Sequence, residues 1–273
     1  MNQTIGFIGG GNMATSLIGG LIKTGIINAK QIIVFEPRSE KANELADTFG
    51  IAVATSNLEL IDQSSVVVVA VKPQVLQSIL SPLSEAFNIK KPLIISVVAG
   101  ITVSSIERWL EGEHAVVRVM PNTPALVGMG ACGLYANPRV NSDQRDISQQ
   151  LTDAVGKSAW LEVEQNIDAV TALSGSGPAY FMLFINSLID AAIAAGIEPE
   201  TAKTLAVQTA AGSAALISDS SKDLQTLIDD VTSPGGTTEQ AIKSFRESKL
   251  TDTVDKAFKA ALQRSAELAK ELG

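Results

Sequence analysis

Short β-branched runs alternate with helix-like stretches through the first half of this chain, and that alternation limits the fold more than any other feature. Ile5–Ile8, Ile32–Phe35, Val66–Val71, Leu93–Val98 and Val116–Met120 read as strands. Between them lie Met13–Thr24, Ser39–Phe49, Val75–Ala86 and Val103–Leu110, with apolar residues at helical spacing. Val66–Val71 is apolar on both faces, as a central parallel strand covered by helices on each side must be. The alternation predicts an α/β architecture with a doubly wound parallel sheet.

After Glu164 the strand signals stop. Ala179–Ala195, Pro199–Ser218, Leu224–Val231, Thr238–Glu247 and Thr251–Leu272 all carry helical periodicity. Pro178 and Pro199 suit first-turn positions and Gly196 a helix stop. The boundary therefore falls between a sheet domain, residues 1–163, and an all-α domain, residues 164–273. The helix over Ala179–Ala195 is apolar nearly all round, so it must be covered on every side. A small helical domain barely manages this alone, which predicts packing against a second subunit.

The turn after the first run carries Gly9-x-Gly11-x-x-Ala14. Gly9 makes the tight turn, Gly11 lets a pyrophosphate reach the backbone, and Ala14 lets helix and strand pack closely. The motif follows an apolar strand, opens a helix and leads into a second strand, which is the context dinucleotide binding requires. The choice of nucleotide is left open. Glu36 ends the second strand, where an acid bonds the ribose diol and disfavours a 2′-phosphate, yet Arg38 and Ser39 follow at once as phosphate ligands. Ala70-Val71-Lys72-Pro73, Val98-Ala99-Gly100 and Met120-Pro121-Asn122-Thr123-Pro124 stand at the carboxyl ends of strands, where such sheets bind ligands. Lys72 reads as the charged first residue of a loop, with its backbone near the nicotinamide.

Residues 230–240 carry the second ligand signal. Gly235 and Gly236 let backbone N–H groups approach a ligand. Thr237-x-x-Gln240 fits a capping box that would open a helix, and such a terminus binds anions. What is missing narrows the chemistry. A ketone reductase needs a proton donor for the alkoxide. The one histidine, His114, precedes a strand on the expected surface or far edge. Tyr135 is followed by Arg139 and Tyr180 by Phe184, so no Tyr-x-x-x-Lys occurs, and no lysine lies between Lys157 and Lys203. No Cys/His cluster suits zinc, and the metal expectation is none. A protonated imine asks for less: a hydride donor at the right distance, an anchor for a carboxylate and a hydroxyl near nitrogen. The Ser233–Thr238 loop supplies the last two.

The net charge of −8 argues against nucleic acid or anionic lipid as a partner. The single cysteine, Cys132, forms no internal disulfide, reads as a buried small hydrophobe and suits a reducing cytoplasm. Trp109 and Trp160 read as core. Met1-Asn2-Gln3 runs straight into an apolar strand without a basic leader, and the longest apolar run, Pro178 to Ala195, is broken by Asn186 and Asp190. A cytoplasmic protein without a membrane anchor is expected.

With these segments assembled, the chain resembles the pyrroline-5-carboxylate reductase family over essentially its whole length. The resemblance rests on Gly6–Ala14, Ala70–Pro73, Ser96–Thr102, Arg118–Pro124, Leu173–Tyr180 and Thr232–Thr238, the last two being the most specific. It implies an N-terminal Rossmann-like domain followed by an all-α C-terminal dimerisation domain that interleaves with a partner. It implies a homodimer, assembled further into a pentamer of dimers, with the substrate loop from one subunit and the dinucleotide on the other. By position, Ile8, Gly9, Gly10, Gly11, Asn12 and Met13 would hold the pyrophosphate, with Glu36, Arg38, Ser39 and Asn57 on the adenosine side. Ala70, Val71, Lys72, Pro73, Ala99 and Gly100 would flank the ribose and nicotinamide. Ser233, Gly236, Thr237 and Thr238 would hold the substrate carboxylate, with Asn122 against the substrate and the Thr238 hydroxyl at the ring nitrogen as the catalytic group.

The resemblance thus implies reduction of 1-pyrroline-5-carboxylate to L-proline with NADPH, or with NADH. Glu36 departs from the neutral residue of several relatives, Asp230 from an Asn, and Val97-Val98 from an Ala-Ala pair. Two other readings stay open: another NAD(P)H-dependent imine reductase on the same scaffold, and a non-catalytic dinucleotide-binding protein.

Overall fold

The computed structural model describes residues 3–273; Met1 and Asn2, the start of the lead-in noted above, lie outside them. The chain forms two compact units. One comprises the residues up to Ser176 together with Ala261–Gly273, the other Gly177–Ala260.

In the first unit, β1 (Ile5–Ile8), β2 (Ile32–Phe35), β3 (Ala52–Val53), β4 (Val66–Val69), β5 (Leu93–Ser96), β6 (Val116–Met120), β7 (Gly130–Ala136) and β8 (Gly156–Leu161) form one sheet, ordered β3-β2-β1-β4-β5-β6-β7-β8. The first six strands run parallel, as expected, while β7 is antiparallel to β6 and parallel to β8. The helices are α1 (Asn12–Lys23), α2 (Ser39–Phe49), α3 (Asn57–Gln63), α4 (Pro73–Leu80), α5 (Ser84–Lys90), α6 (Val103–Trp109), α7 (Ser142–Asp153) and α8 (Asn166–Val170). A π-turn over Thr171–Gly175 follows α8.

Alternation along the strands divides the core between the two faces. Phe7, Val66, Val68 and Ile95 join Leu17, Ile18 and Leu21 of α1 in one cluster. Ile8, Val67, Val69 and Ile94 join Leu60, Leu76, Leu80 and Phe87 in the other. All four valines of β4 are buried, which is why that strand tolerates no polar residue on either face.

Several elements depart from expectation for local reasons. The helix expected over Val75–Ala86 is divided into α4 and α5 by a 3-10 turn at Ser81–Leu83, because Pro82 has no N–H to continue the ladder. Strand β4 ends at Val69 and β5 at Ser96, before the loops that the pattern had included. His114 is not on the surface: it is 1% exposed, at the start of β6, with its ring edge-on to Phe87. Cys132 and Trp109 are buried as expected, and burial followed by the Asp153 charge pushes the Cys132 thiol up to about 11. Trp160 is only partly buried and carries the Arg145 guanidinium 4.1 Å above its ring.

The second unit is helical: α9 (Gly177–Ala194), α10 (Pro199–Asp219), α11 (Leu224–Asp230), α12 (Thr237–Glu247) and the first part of α13 (Leu250–Leu272). Helices α9 and α10 pack on each other. Phe181, Met182 and Leu183 of α9 stay largely exposed in the single chain. By length and composition alone, a stretch within Asn166–Ala194, with a mean hydropathy of 1.4 over 18 residues, would suffice to cross a membrane.

Candidate active site

The strand order reverses between β1 and β4, and the crevice at their carboxyl ends is where such sheets bind ligands. Gly9 leaves β1 with φ +97°, and its N–H donates to the Phe35 carbonyl at 2.9 Å. A Cβ there would lie 2.7 Å from the Ala70 carbonyl oxygen, so only glycine makes this turn. Around Gly11 a Cβ would find nothing nearer than 4.0 Å, so its backbone faces open space. Asn12 and Met13 then open α1, whose N-cap, Gly11, has no side chain to occupy the first-turn N–H groups.

The other expected cofactor residues surround the same crevice. Ala70 N–H bonds the Ile8 carbonyl at 2.9 Å, which fixes the loop after β4 beside the loop after β1. Val71 follows, Lys72 is exposed at the N-cap of α4, and Pro73 takes its first position. Ala99 and Gly100 follow β5, with Gly100 at φ +76° and packed near Leu268 and Leu272. Asn57 opens α3, held there by Ser56, whose Oγ accepts the Glu59 N–H at 3.2 Å. Its Oδ1 is buried without a hydrogen-bond partner. A buried acceptor left unpaired is costly unless a ligand donor meets it. The open backbone at Gly11 and the unpaired Asn57 oxygen both fit a dinucleotide.

Glu36 stands just after β2 with its carboxylate turned inward. Its Oε2 accepts the Gly10 N–H at 3.0 Å, and its Oε1 accepts the Arg38 Nε–H at 2.7 Å and the Arg38 backbone N–H at 3.3 Å. Burial pushes the Glu36 carboxyl up, but these bonds and the Arg38 charge outweigh it and hold it below its ordinary value. Arg38 and Ser39 are exposed at the start of α2.

Two polar groups that sequence reasoning did not connect organise the carboxyl end of β6. The Asn122 Oδ1 accepts the Ala131 N–H at 2.9 Å, and its Nδ2 donates to the Ser174 carbonyl at 3.0 Å. Both ends of the amide are thus used to tie the loop after β6 to β7 and to the π-turn. Arg118, on β6 itself and buried, donates from Nη1 to Glu164 Oε1 at 2.7 Å. That oxygen also accepts the Val103 N–H at 2.8 Å. No spacing rule pairs residues so far apart in sequence.

In the helical unit, Gly235 at φ +73° turns the chain into α12. The capping box is corrected here: the N-cap is Gly236, with Thr237 in the first helical position, and Gln240 donates its backbone N–H to the Gly236 carbonyl at 3.3 Å without a side-chain cap bond. Glu239 reaches back instead, its Oε2 accepting the Gly235 N–H at 2.9 Å. A glycine cap has no side chain to accept the first-turn N–H groups, so these are open to an anion. Ser233 and Thr237 are exposed beside them and Thr238 is half-buried.

A glycine-turn crevice in a doubly wound sheet, joined to an all-helical unit with an uncapped glycine–threonine helix start, defines a dinucleotide-dependent oxidoreductase. Comparison with known proteins narrows the class. Residues 164–268 match the family model described as pyrroline-5-carboxylate reductase dimerisation, and residues 4–100 match one described as NADP oxidoreductase, coenzyme F420-dependent. The pyrroline-5-carboxylate reductase of Pseudomonas aeruginosa is 48% identical, with 98% of each chain covered. The solved pyrroline-5-carboxylate reductase of Coxiella burnetii superposes with a TM-score of 0.95 at 38% identity, covering 98% of this chain and 99% of that one. The Plasmodium falciparum pyrroline carboxylate reductase, solved with NADP bound, gives 0.86 at 33% identity over 98% of both. The chain belongs to the pyrroline-5-carboxylate reductase family.

Proposed function

We propose that this chain reduces 1-pyrroline-5-carboxylate to L-proline with NADPH, as a homodimer in the cytoplasm. The observation that carries the reading is the Ser233–Thr238 loop: an uncapped helix start with two threonines and a serine, in a chain that also carries a dinucleotide crevice. The other two readings drop behind it. A non-catalytic nucleotide binder has no use for that loop, and full-length likeness to proteins named for this substrate favours it over another imine.

When bound, the nicotinamide supplies a hydride to the C=N carbon of the substrate. The chain's own residues do the rest. The N–H groups of Gly11, Asn12 and Met13 hold the pyrophosphate, those of Gly9 and Gly10 being taken by the Phe35 carbonyl and Glu36; Asn57 meets the adenosine side through its unpaired oxygen, and Ala70–Pro73 with Ala99 and Gly100 orient the nicotinamide end. The N–H groups at Thr237 and Thr238 and the hydroxyl of Ser233 anchor the substrate carboxylate, while the Gly236 N–H, bonded to the Ser233 carbonyl at 2.9 Å, closes the turn that presents them. The Thr238 hydroxyl bonds the ring nitrogen. Asn122 acts by holding the loop after β6 in shape. No strong acid is needed, because a protonated imine becomes a neutral amine on hydride addition and leaves no alkoxide to quench.

Residues 164–273 serve as the dimerisation and substrate-binding domain in this proposal, and five dimers assemble further into a pentamer of dimers. A second copy, rather than lipid, covers Phe181, Met182 and Leu183, since the dimerisation match spans that helix. The test is steady-state oxidation of NADPH and of NADH with 1-pyrroline-5-carboxylate, with light scattering for mass. Turnover with an unrelated imine but not this one would refute the substrate. A monomer at micromolar concentration would refute the assembly.

A further inference from the structure

We propose that Glu36 is a positioning residue that favours the 2′-phosphorylated nucleotide by holding Arg38, the reverse of what an acid at the end of β2 ordinarily does. The inference rests on the nucleotide-dependent function proposed above. An acid at this position usually faces the adenosine ribose, accepts its two hydroxyls and repels a 2′-phosphate. Here the carboxylate is turned away from that task. Its side chain is 6% exposed, and three donors take it up: the Gly10 N–H, the Arg38 N–H and the Arg38 Nε–H. An ionised carboxylate has about four acceptor directions, so three bonds leave little for a ribose.

The approach depends on the glycine loop. A Cβ on Gly10 would lie 3.2 Å from the Glu36 Cβ and 2.7 Å from Leu45 Cδ1, so the missing side chain at Gly10 is what lets Glu36 fold inward. The bond to Nε uses one edge of the guanidinium and leaves both terminal nitrogens free. The Arg38 side chain is 68% exposed, at the N-cap of α2 beside the Ser39 hydroxyl. Its planar fork matches phosphate geometry. The acid offsets part of the arginine's charge, but it leaves the terminal nitrogens free for a phosphate and fixes the stem of the arginine that meets it.

The two views of Glu36 differ in sign, which makes the test decisive. The experiment is calorimetric titration of the full-length protein with NADP+ and NAD+, and with 2′,5′-ADP against 5′-AMP, for wild type, Glu36→Gln, Arg38→Ala and the double variant. Arg38→Ala should weaken NADP+ and 2′,5′-ADP by ~10-fold or more, the scale of one hydrogen bond to a charged group, and leave NAD+ and 5′-AMP within about 2-fold. Glu36→Gln should also weaken the phosphorylated pair, by ~3- to 10-fold relative to the unphosphorylated pair, and should add little once Arg38 is gone. A rise in NADP+ preference in Glu36→Gln would overturn the proposal, as would an undiminished loss in the Arg38→Ala background. Arg38 is exposed, so its variant tests the claim even if the buried substitution disturbs folding. Turnover measured on the same samples separates the two levels. Wild type that reduces the substrate while the signs reverse sinks only the role of Glu36, whereas wild type that binds neither nucleotide sinks this role and the proposed function together.

Discussion

Acid should unfold this protein through His114, and the size of the effect follows from where the ring sits. It is buried edge-on to Phe87; neither Nδ1 nor Nε2 makes a hydrogen bond of good geometry, and the Leu110 backbone offers only a weak contact that opposes part of the shift. Burial, then the nearby charges of Lys91 and Arg139, lowers its pKa from 6.5 to about 4. The unfolded chain therefore binds a proton that the folded chain refuses between those two values, and stability falls as pH falls. Linkage converts the shift into a loss of about 2 kcal/mol by pH 5 and about 3 kcal/mol by pH 4, with almost none above pH 7. The assay is urea unfolding at fixed protein concentration from pH 7.5 to 4.5, for wild type and His114→Leu. Carboxylates that titrate in the same range cancel in the difference between the two proteins. The leucine variant should match or exceed wild type at pH 7.5, since two unpaired buried nitrogens disappear, and should pull ahead by ~2 kcal/mol at pH 5. Parallel curves for the two proteins would show that the ring does not hold itself neutral, and the reasoning would fail.

Other outcomes follow from single contacts. Thr238→Ala should lower kcat/KM by ~10- to 1000-fold, the range spanned by one or two hydrogen bonds to charged groups; an unchanged value would remove the proposed catalytic role. Gly9→Ala forces a side chain to φ +97° against the Ala70 carbonyl and should cost about 1–3 kcal/mol in urea unfolding, with weaker nucleotide binding by calorimetry. Glu164→Ala leaves the buried Arg118 unpaired and should destabilise by ~3–5 kcal/mol, whereas a small loss would mean that water reaches the guanidinium. Phe181→Asp should shift the sedimentation of the protein from dimer towards monomer.

The parts of the fold that sequence exposes are those where one principle dominates. β1, β2 and β6 keep their expected limits because short runs that are apolar but for Gly6 and Arg118 mark strands of a sheet covered on both faces. β7 escaped notice because Gly130-Ala-Cys-Gly-Leu-Tyr-Ala has little strand propensity; Gly133 is there because a Cβ would lie 2.7 Å from Val170. α7 was missed through its polar face, although Asn141 caps it and Gln144 completes a capping box. At the site, the glycine turn was readable because its context is local. The inward turn of Glu36, the double tether of Asn122 and the Arg118–Glu164 pair were not, since each joins segments that only the tertiary fold brings together. Thr237-x-x-Gln240 misled because the helix starts one residue earlier, on a glycine, which ranks level with threonine as a cap, so the pattern could not choose between them.

Residues 177–260 leave the sheet unit and the chain comes back to it, since Ala261–Gly273 belongs with that unit again. In genetic terms the helical unit is an insert rather than an appendage. A gene fragment cut at Ser176 would encode the sheet without the last turns of α13, and so without the Leu268 and Leu272 side chains that line Gly100. Any attempt to express the nucleotide-binding unit alone must therefore excise the middle and join the two flanks.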